Sequence, residues 1–333
     1  MVGGEEPALT SAERPFRLAS RGSSLALWQA EHVAGLLRNS HAGLIVQIHV
    51  VKTTGDRVTD LPLAMIGDRG LFTREVDTAV LDGRADGAVH SLKDLPTRLE
   101  EGLALGAILP REDPSDALVT APSVPGNLAD LPSGARVATS SLRRRALLLA
   151  ARPDLATPDI RGNVDTRLAK VASGEVDAVV LAAAGLRRLG RADRIDELLD
   201  VPAWLPAVGQ GALAVSCRER DEPTRALLAP LTHDPTERAT AAERSLLRRL
   251  EGGCQIPIGA LATVVSGRLA LHGLIASLDG RRLVRGEGEG LPGDAEALGE
   301  ELAERLLRDG GGAILADLRA HAARDAATEW TRA

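Results

Sequence analysis

The sequence has 333 residues, 44% hydrophobic and 26% charged, which is the balance of a soluble globular protein and more chain than one core usually serves, so two or three domains are expected. Aromatic residues are only 2%, with no Tyr, and the net charge is −6, so neither base-stacking platforms nor a generally basic surface for nucleic acid is available. Two cysteines, Cys217 and Cys254, cannot build a disulfide framework or a zinc site of their own, and no apolar run approaches the ~20 residues that span a bilayer.

Residues 1–14 carry three Glu and no apolar core, so they read as a disordered extension and not as a signal peptide. A short strand over 16–19 leads through Ser20-Arg21-Gly22-Ser23 into a helix over 24–37. A strand follows over 45–51. Residues 53–72, with Gly55, Asp56, Pro62, Gly67 and Gly70 and little periodicity, form either a lid or a disordered loop. The helix predicted over 73–81 stops at Gly83, and a strand returns over 86–90. This βα alternation points to a parallel sheet covered by helices.

Residues 110–132, rich in Pro, Asp and Ser, suit a hinge crossing. Beyond it the pattern repeats. Arg17-Leu18-Ala19-Ser20 is echoed by Arg136-Val137-Ala138-Thr139, and the 83–89 stretch by 174–180, each with a Gly stop and an Asp ahead of an apolar strand. Two similar α/β lobes facing a cleft are therefore expected, with a second crossing near 202–211. From about residue 232 the character changes to an amphipathic helix over 235–250, a hairpin of 269–278 and 281–287 around Asp279-Gly280, and a helix over 294–308 with Asp294 as N-cap. The expected division is 15–111 plus 209–230 for the first lobe, 112–208 for the second, 231–320 for a small antiparallel α+β domain, and 321–333 as a tail.

Three groups of residues can carry chemistry. Ser20 to Ser24 and Thr139-Ser140-Ser141 stand where strands give way to helices, and the hydroxyls and free N–H groups there suit an anion. Arg21, Arg143, Arg144, Arg145, Arg161 and Arg167 cluster at the same places, either as receptors for a polyanionic ligand or as solvated helix faces. The segment 89–96 ends a strand in His90-Ser91-Leu92-Lys93-Asp94, where α/β proteins place ligands; Asp94 reads as a catalytic carboxylate beside a cation or as a turn residue, and His90 as structural. Of 40 basic residues only Lys52, Lys93 and Lys170 are lysine, which draws attention to each of the three. Finally, Gly252-Gly253-Cys254-Gln255-Ile256-Pro257 describes an exposed loop with an accessible thiol, whereas Cys217 follows an apolar strand and reads as core.

Taken in order, Leu25-Ala26-Leu27-Trp28-Gln29-Ala30 after Arg21, Gly70-Leu71-Phe72, 89–96, 139–144, 161–168, 206–212 and 252–259 resemble the successive motifs of the hydroxymethylbilane synthase (porphobilinogen deaminase) family over residues 15–320. The resemblance implies two periplasmic-binding-protein-like (type II) lobes and a third domain that carries a dipyrromethane cofactor on a cysteine, which Cys254 matches. It implies a cytoplasmic, monomeric transferase of tetrapyrrole biosynthesis. Such an enzyme joins four porphobilinogen molecules head to tail onto the primer, with loss of ammonia at each step, and hydrolytically releases hydroxymethylbilane, with uroporphyrinogen-III synthase as a partner to receive it. Asp94 matches the family's catalytic aspartate. Arg21, Ser23, Ser91, Lys93, Thr139, Ser140, Ser141, Arg143, Arg144, Arg161 and Arg167 match its cofactor- and substrate-binding positions. Phe72 matches a lid aromatic; Arg69 stands where relatives often carry Lys, with Met65 upstream. No metal, nucleic acid or membrane is implied. The competing readings are a non-catalytic two-lobed binding protein, which would carry an export signal, a nucleic-acid-binding module using Arg143, Arg144 and Arg145, which needs a basic face that the acidic balance does not offer, and a phosphate-ligand enzyme, which would carry a Gly-x-x-x-x-Gly-Lys loop absent from this chain.

Overall fold

The computed structural model describes residues 14–53, 73–201, 203–250 and 256–330. The expected extension 1–14 (all but Arg14), the loop 54–72 with Met65, Arg69 and Phe72, the residues 251–255 with Cys254, and the last three residues lie outside them.

The first sheet has the order β2-β1-β3-β9-β4. Its strands are β1 (Phe16–Arg21), β2 (Val46–Val51), β3 (Gly87–Ser91), β4 (Leu103–Ile108) and β9 (Leu213–Arg218). β1 runs parallel to β2 and β3, while β9 arrives from the far end of the chain and runs antiparallel between β3 and β4. Both faces are covered, which is why consecutive residues of β1 (Leu18, Ala19, Ser20) and of β3 (87–90) are buried without alternation. On one face α1 (Ser24–Ser40) packs Ala30, Val33, Ala34 and Leu37 against Phe16, Leu18, Val89 and Val215. On the other, α2 (Arg74–Leu81) packs Val76, Ala79 and Val80 against Ala19, Ala88 and Leu103. Cys217 is buried in this core, and burial pushes its thiol up, as the sequence reading of an inert cysteine requires.

The second sheet has the order β6-β7-β5-β8, from β5 (Asp116–Thr120), β6 (Val137–Ala138), β7 (Ala178–Ala182) and β8 (Glu197–Leu198). Its helices are α3 (Leu142–Ala151), α4 (Val164–Ala172) and α5 (Ala183–Arg188). One expectation fails here: the 110–132 hinge is not a connector throughout, because β5 lies inside it as a wholly buried interior strand. The Pro, Asp and Ser that suggested a loop flank the run Ala117-Leu118-Val119, and a short apolar run between turn signals is a buried strand.

The repeat is real in three dimensions. Leu18 pairs with Gly87 and Ala19 with Ala88; at the matching places Val137 pairs with Ala178 and Ala138 with Val179. The polar punctuation repeats as well. The Asp86 carboxylate accepts from the Arg17 backbone N–H at 2.8 Å and from its guanidinium at 3.0 Å, and Asp177 accepts from the Arg136 N–H at 2.7 Å and its guanidinium at 3.0 Å. Each Asp follows a glycine with positive φ, Gly83 at 71° and Gly174 at 73°, which turns the chain out of the helix.

After β9, α6 (Glu222–Leu228) returns to the first lobe and α7 (Asp234–Arg249) begins the third region. There β10 (Ile258–Val265), β11 (Arg268–Ala276) and β12 (Leu283–Gly290) form an antiparallel sheet, backed by α7, α8 (Ala295–Leu306) and the start of α9 (Gly312–Trp330). The predicted hairpin is β11–β12. The β10–β11 hairpin turns on Ser266 and Gly267, both with positive φ, a Ser-Gly signal the sequence reading passed over. Asp294 occupies the N-cap position of α8 without making a side-chain cap bond. Close packing of α7 on α8 depends on Gly299, where a Cβ would stand 2.3 Å from the Ala242 carbonyl oxygen. Among the described residues no helix is long and apolar enough to cross a membrane.

Candidate active site

A pocket opens at the C-terminal ends of β1 and β3, lined by Arg21, Ser23 and Gln29 from the β1–α1 corner, His90, Ser91 and Asp94 from the end of β3, and Thr73 from the start of α2. The local sequence explains the corner. Ser23 has extended backbone and its Oγ accepts from the Ala26 N–H at 3.3 Å, so it caps α1 and leaves its own O–H to donate. Gln29, one turn along, donates to Ser91 Oγ at 2.9 Å and ties the helix to the end of β3. His90 is structural, as expected: its Nε2 lies 3.1 Å from Ser216 Oγ and 3.3 Å from Asp77 Oδ1, in a buried polar set under the pocket.

Beyond Ser91 the chain makes a single 3-10 turn, Leu92–Asp94. Leu92 is buried and Asp94 is exposed, while Lys93 is half-buried. Burial, together with the nearby guanidinium of Arg144, pulls the Lys93 ammonium down to about 8, although Asp94 and Asp116 act to hold its proton.

The second lobe faces this turn with helix N-termini. Ser141 caps α3, accepting from the Arg144 N–H at 3.4 Å, and Asn163 caps α4, accepting from the Thr166 N–H at 2.9 Å. Arg167 on α4 is half-buried and donates from Nε to the Gly162 carbonyl at 2.9 Å. Burial and then the neighbouring Arg144 and Arg161 lower it to about 10, while Asp94 opposes the shift from the other lobe. Thr139 and Ser140 bond the backbone in different senses: Thr139 Oγ1 accepts from the Ser141 N–H at 3.2 Å, which leaves its own O–H to donate, and Ser140 Oγ donates to the Ile160 carbonyl at 2.6 Å. Arg145 is an exception to the expected cluster, since its guanidinium pairs with Asp159 at 2.7 Å.

Arg143 and Arg144 are more deeply set than the sequence suggested. Arg144 reaches Asp116 Oδ1 at 2.7 Å, and Arg143 reaches Oδ2 at 2.8 Å. Gln210 Nε2 donates to Oδ1 at 2.8 Å and Trp204 Nε1 to Oδ2 at 2.8 Å. Burial alone would raise the Asp116 carboxyl, but the two guanidinium groups hold it far below the usual carboxylate range. The physical reason is plain: a carboxylate at the head of a buried strand must be ion-paired, and the first turn of α3 supplies the partners. Arg143 Nε remains buried without a hydrogen-bond partner among the described residues, a donor still unspent.

Gln210, fully buried at the second crossing, was missed from sequence. Its Oε1 accepts from Lys93 Nζ at 3.3 Å while its Nε2 donates to Asp116, so it joins the turn of the first lobe to the ion-pair hub of the second. Its place in the Pro206–Gly211 stretch, a polar residue among glycines, was the available signal. Glu243 on α7 was missed too: it accepts from Arg111 at the first crossing, from the Gly209 N–H at the second (2.7 Å) and from the Ala262 N–H in β10 (2.8 Å).

Among the described residues of the pocket, the arrangement therefore offers an exposed carboxylate, Asp94, facing a surplus of cations in which burial first, and then mutual repulsion, depresses Arg167 and Lys93. A ligand rich in carboxylates would relieve that repulsion, and one with N–H donors would suit Asp94. A bound dipyrromethane, with acid side chains and ring N–H groups, fits these residues.

The family models agree with this. "Porphobilinogen deaminase, dipyromethane cofactor binding domain" matches residues 16–226, more than half of the chain, and "Porphobilinogen deaminase, C-terminal domain" matches residues 238–308. The porphobilinogen deaminase of Pelobacter propionicus is 50% identical over 305 residues, covering 92% of this chain and 97% of that protein. That of Moorella thermoacetica is 51% identical over 305 residues, with the same coverage of 92% and 97%. Among solved structures, a YaeC-family lipoprotein of Enterococcus faecalis covers 66% of this chain and 91% of its own at 15% identity and a TM-score of 0.40, too distant to bear on the site. By family model and by relatives alike, the chain belongs to the porphobilinogen deaminase family.

Proposed function

We propose that this chain is a transferase that joins four porphobilinogen molecules head to tail on a cysteine-linked dipyrromethane and releases hydroxymethylbilane, in tetrapyrrole biosynthesis. The observation that carries the reading is the exposed Asp94 carboxylate at the end of β3, beside Lys93 and opposed by Arg167 of the other lobe. Bound through a thioether at Cys254, the dipyrromethane supplies the terminal pyrrole carbon from which the chain grows.

Asp94 accepts hydrogen bonds from pyrrole N–H groups and stabilises the positive charge that develops on porphobilinogen as its amino group departs as ammonia. It then takes the proton displaced from the ring carbon at which the new methylene bond has formed. Arg21, Arg161, Arg167 and Lys93 receive acetate and propionate carboxylates, and Ser23, Ser91 and Ser141 add hydroxyl donors. Arg143 and Arg144 act on the ligand through the positive potential they maintain beside Asp116. Thr139 and Ser140 hold the strand-to-helix corner that presents Ser141. The lobes comprise 15–111 with 209–230, and 112–208; the third domain comprises 231–320. The protein works as a cytoplasmic monomer that hands its product to uroporphyrinogen-III synthase.

The test is turnover of porphobilinogen by wild type and Asp94→Ala, read as ammonia released and hydroxymethylbilane formed. Loss of charge stabilisation and proton transfer together should cost at least about 100-fold, with an unchanged circular dichroism spectrum because the side chain is exposed. A variant that keeps more than about a tenth of wild-type turnover would contradict the assignment.

A further inference from the structure

No described residue donates a hydrogen bond to the Asp94 carboxylate, so its place in the pocket is set by its backbone turn. That turn is fastened at its start, where the Leu92 N–H donates to the Ala212 carbonyl at 3.0 Å and the Leu92 side chain is buried. At its end the fastening comes from another part of the molecule. Arg244, on α7, donates to the carbonyls of Pro96 at 2.8 Å and Thr97 at 3.2 Å, and reaches that of Leu95 at 3.5 Å. Its side chain is 8% exposed, and no described carboxylate lies within ion-pair distance of it.

A guanidinium buried on carbonyls alone is an expensive way to fill space, and Leu or Met would pack there without the desolvation. Burial, with Arg248 nearby, draws Arg244 down to about 10, the mark of that cost. What an aliphatic side chain would not do is fix three consecutive carbonyls in direction, whereas the planar fork of arginine donates to several at once in set directions. The preceding residue, Glu243, holds both interlobe crossings and β10, so one turn of α7 sets the place of the hinge and of the Asp94 turn together. The same helix ends at Arg249, just ahead of Cys254 in sequence.

We propose that Arg244 is a positioning residue for Asp94: by gripping the carbonyls that follow the 92–94 turn, it sets the carboxylate's place in the pocket from the helix that leads to the cofactor cysteine. This rests on the reading of Asp94 as the acid/base residue. It adds a residue outside the pocket lining whose loss acts on the chemical step.

The experiment uses the primer-loaded enzyme and the variants Arg244→Met, Arg244→Gln, Arg244→Lys, Asp94→Ala, Asp94→Glu and the double variant Arg244→Met/Asp94→Glu, assayed well below each melting temperature. Misplacing a reacting group by a fraction of an ångström to an ångström should lower kcat of Arg244→Met about 10- to 100-fold with KM changed less than about threefold, because the ligand-binding cations are untouched. Arg244→Lys, which can still donate to carbonyls, should recover a large part of the loss. In the Asp94→Glu background, where the carboxylate is already displaced, Arg244→Met should cost less than about threefold further. If Arg244→Met does not fold, Arg244→Gln and Arg244→Lys carry the same comparison. Full kcat in the Met or Gln variant, or a loss that multiplies undiminished onto Asp94→Glu, would overturn the proposal, as would a fall in melting temperature with kcat intact. Normal turnover by Asp94→Ala would overturn the reading of Asp94 itself; an inactive Asp94→Ala beside a fully active Arg244→Met would overturn the positioning role alone.

Discussion

Replacing Asp116 by Asn tests the ion-pair hub behind the cleft. The carboxylate oxygens receive Arg144 Nε at 3.1 Å and Nη2 at 2.7 Å, Gln210 Nε2 at 2.8 Å, Trp204 Nε1 at 2.8 Å and Arg143 Nη1 at 2.8 Å. An amide of the same shape presents one carbonyl; whichever way it is turned, its NH2 faces donors, and two buried guanidinium groups lose their counter-charge. Breaking a buried pair from one side costs about 3–5 kcal/mol. The assay is urea unfolding at pH 7 followed by tryptophan fluorescence, to which Trp204 contributes from within the hub. The pH dependence has a defined sign. The folded-state carboxyl of Asp116 is depressed below its ordinary 3.8, so its contribution is present above about pH 4 and is lost as pH falls further. The gap between wild type and Asp116→Asn should therefore narrow as pH falls below about 4. A loss under about 1 kcal/mol at pH 7, or a gap that is constant through that acid range, would refute the account of the hub.

Lys93 should titrate near pH 8 in primer-free Cys254→Ala protein, its charge held below that pH and lost above it, and at a higher pH once a carboxylate-bearing primer is bound. With only Lys52, Lys93 and Lys170 in the chain, carbon NMR of labelled lysines resolves this, and a Lys93 resonance that titrates above about pH 10 would contradict it. Gly211→Ala should destabilise by about 2 kcal/mol or more and disturb the interlobe crossing, since φ is +89° and a Cβ would stand 2.2 Å from the Glu112 carbonyl oxygen; an unchanged melting temperature would count against the tight crossing.

The two-lobe architecture was legible because its signals are local: Gly83 and Gly174 stop helices, Asp86 and Asp177 bond the opposite strand's N–H, and the apolar strands that follow are short. The strand β5 was not, because its composition is dominated by flanking Pro and Ser, and the pairing that makes it interior comes from β7 and β8 elsewhere in the chain. The pocket-side residues Arg21, Ser23, Ser91 and Asp94 were legible as strand-end residues. Arg143 and Arg144 were placed in the right corner but with the wrong neighbour in view, since their partner Asp116 is 27 and 28 positions earlier and no spacing rule links them. Gln210, Glu243 and Arg244 escaped for a related reason: each acts by bonding backbone or side chains from other domains, and long-range polar contacts leave no periodic trace.

The central claim is a growing pyrrole chain held on Cys254. Intact mass spectrometry of the purified protein, followed by peptide mapping, tests it most directly. An added mass equal to two linked, deaminated porphobilinogen units, located on Cys254 and absent from Cys254→Ala, is the predicted result. A primer on Cys217, or a bare polypeptide mass that stays bare after incubation with porphobilinogen, would contradict the account.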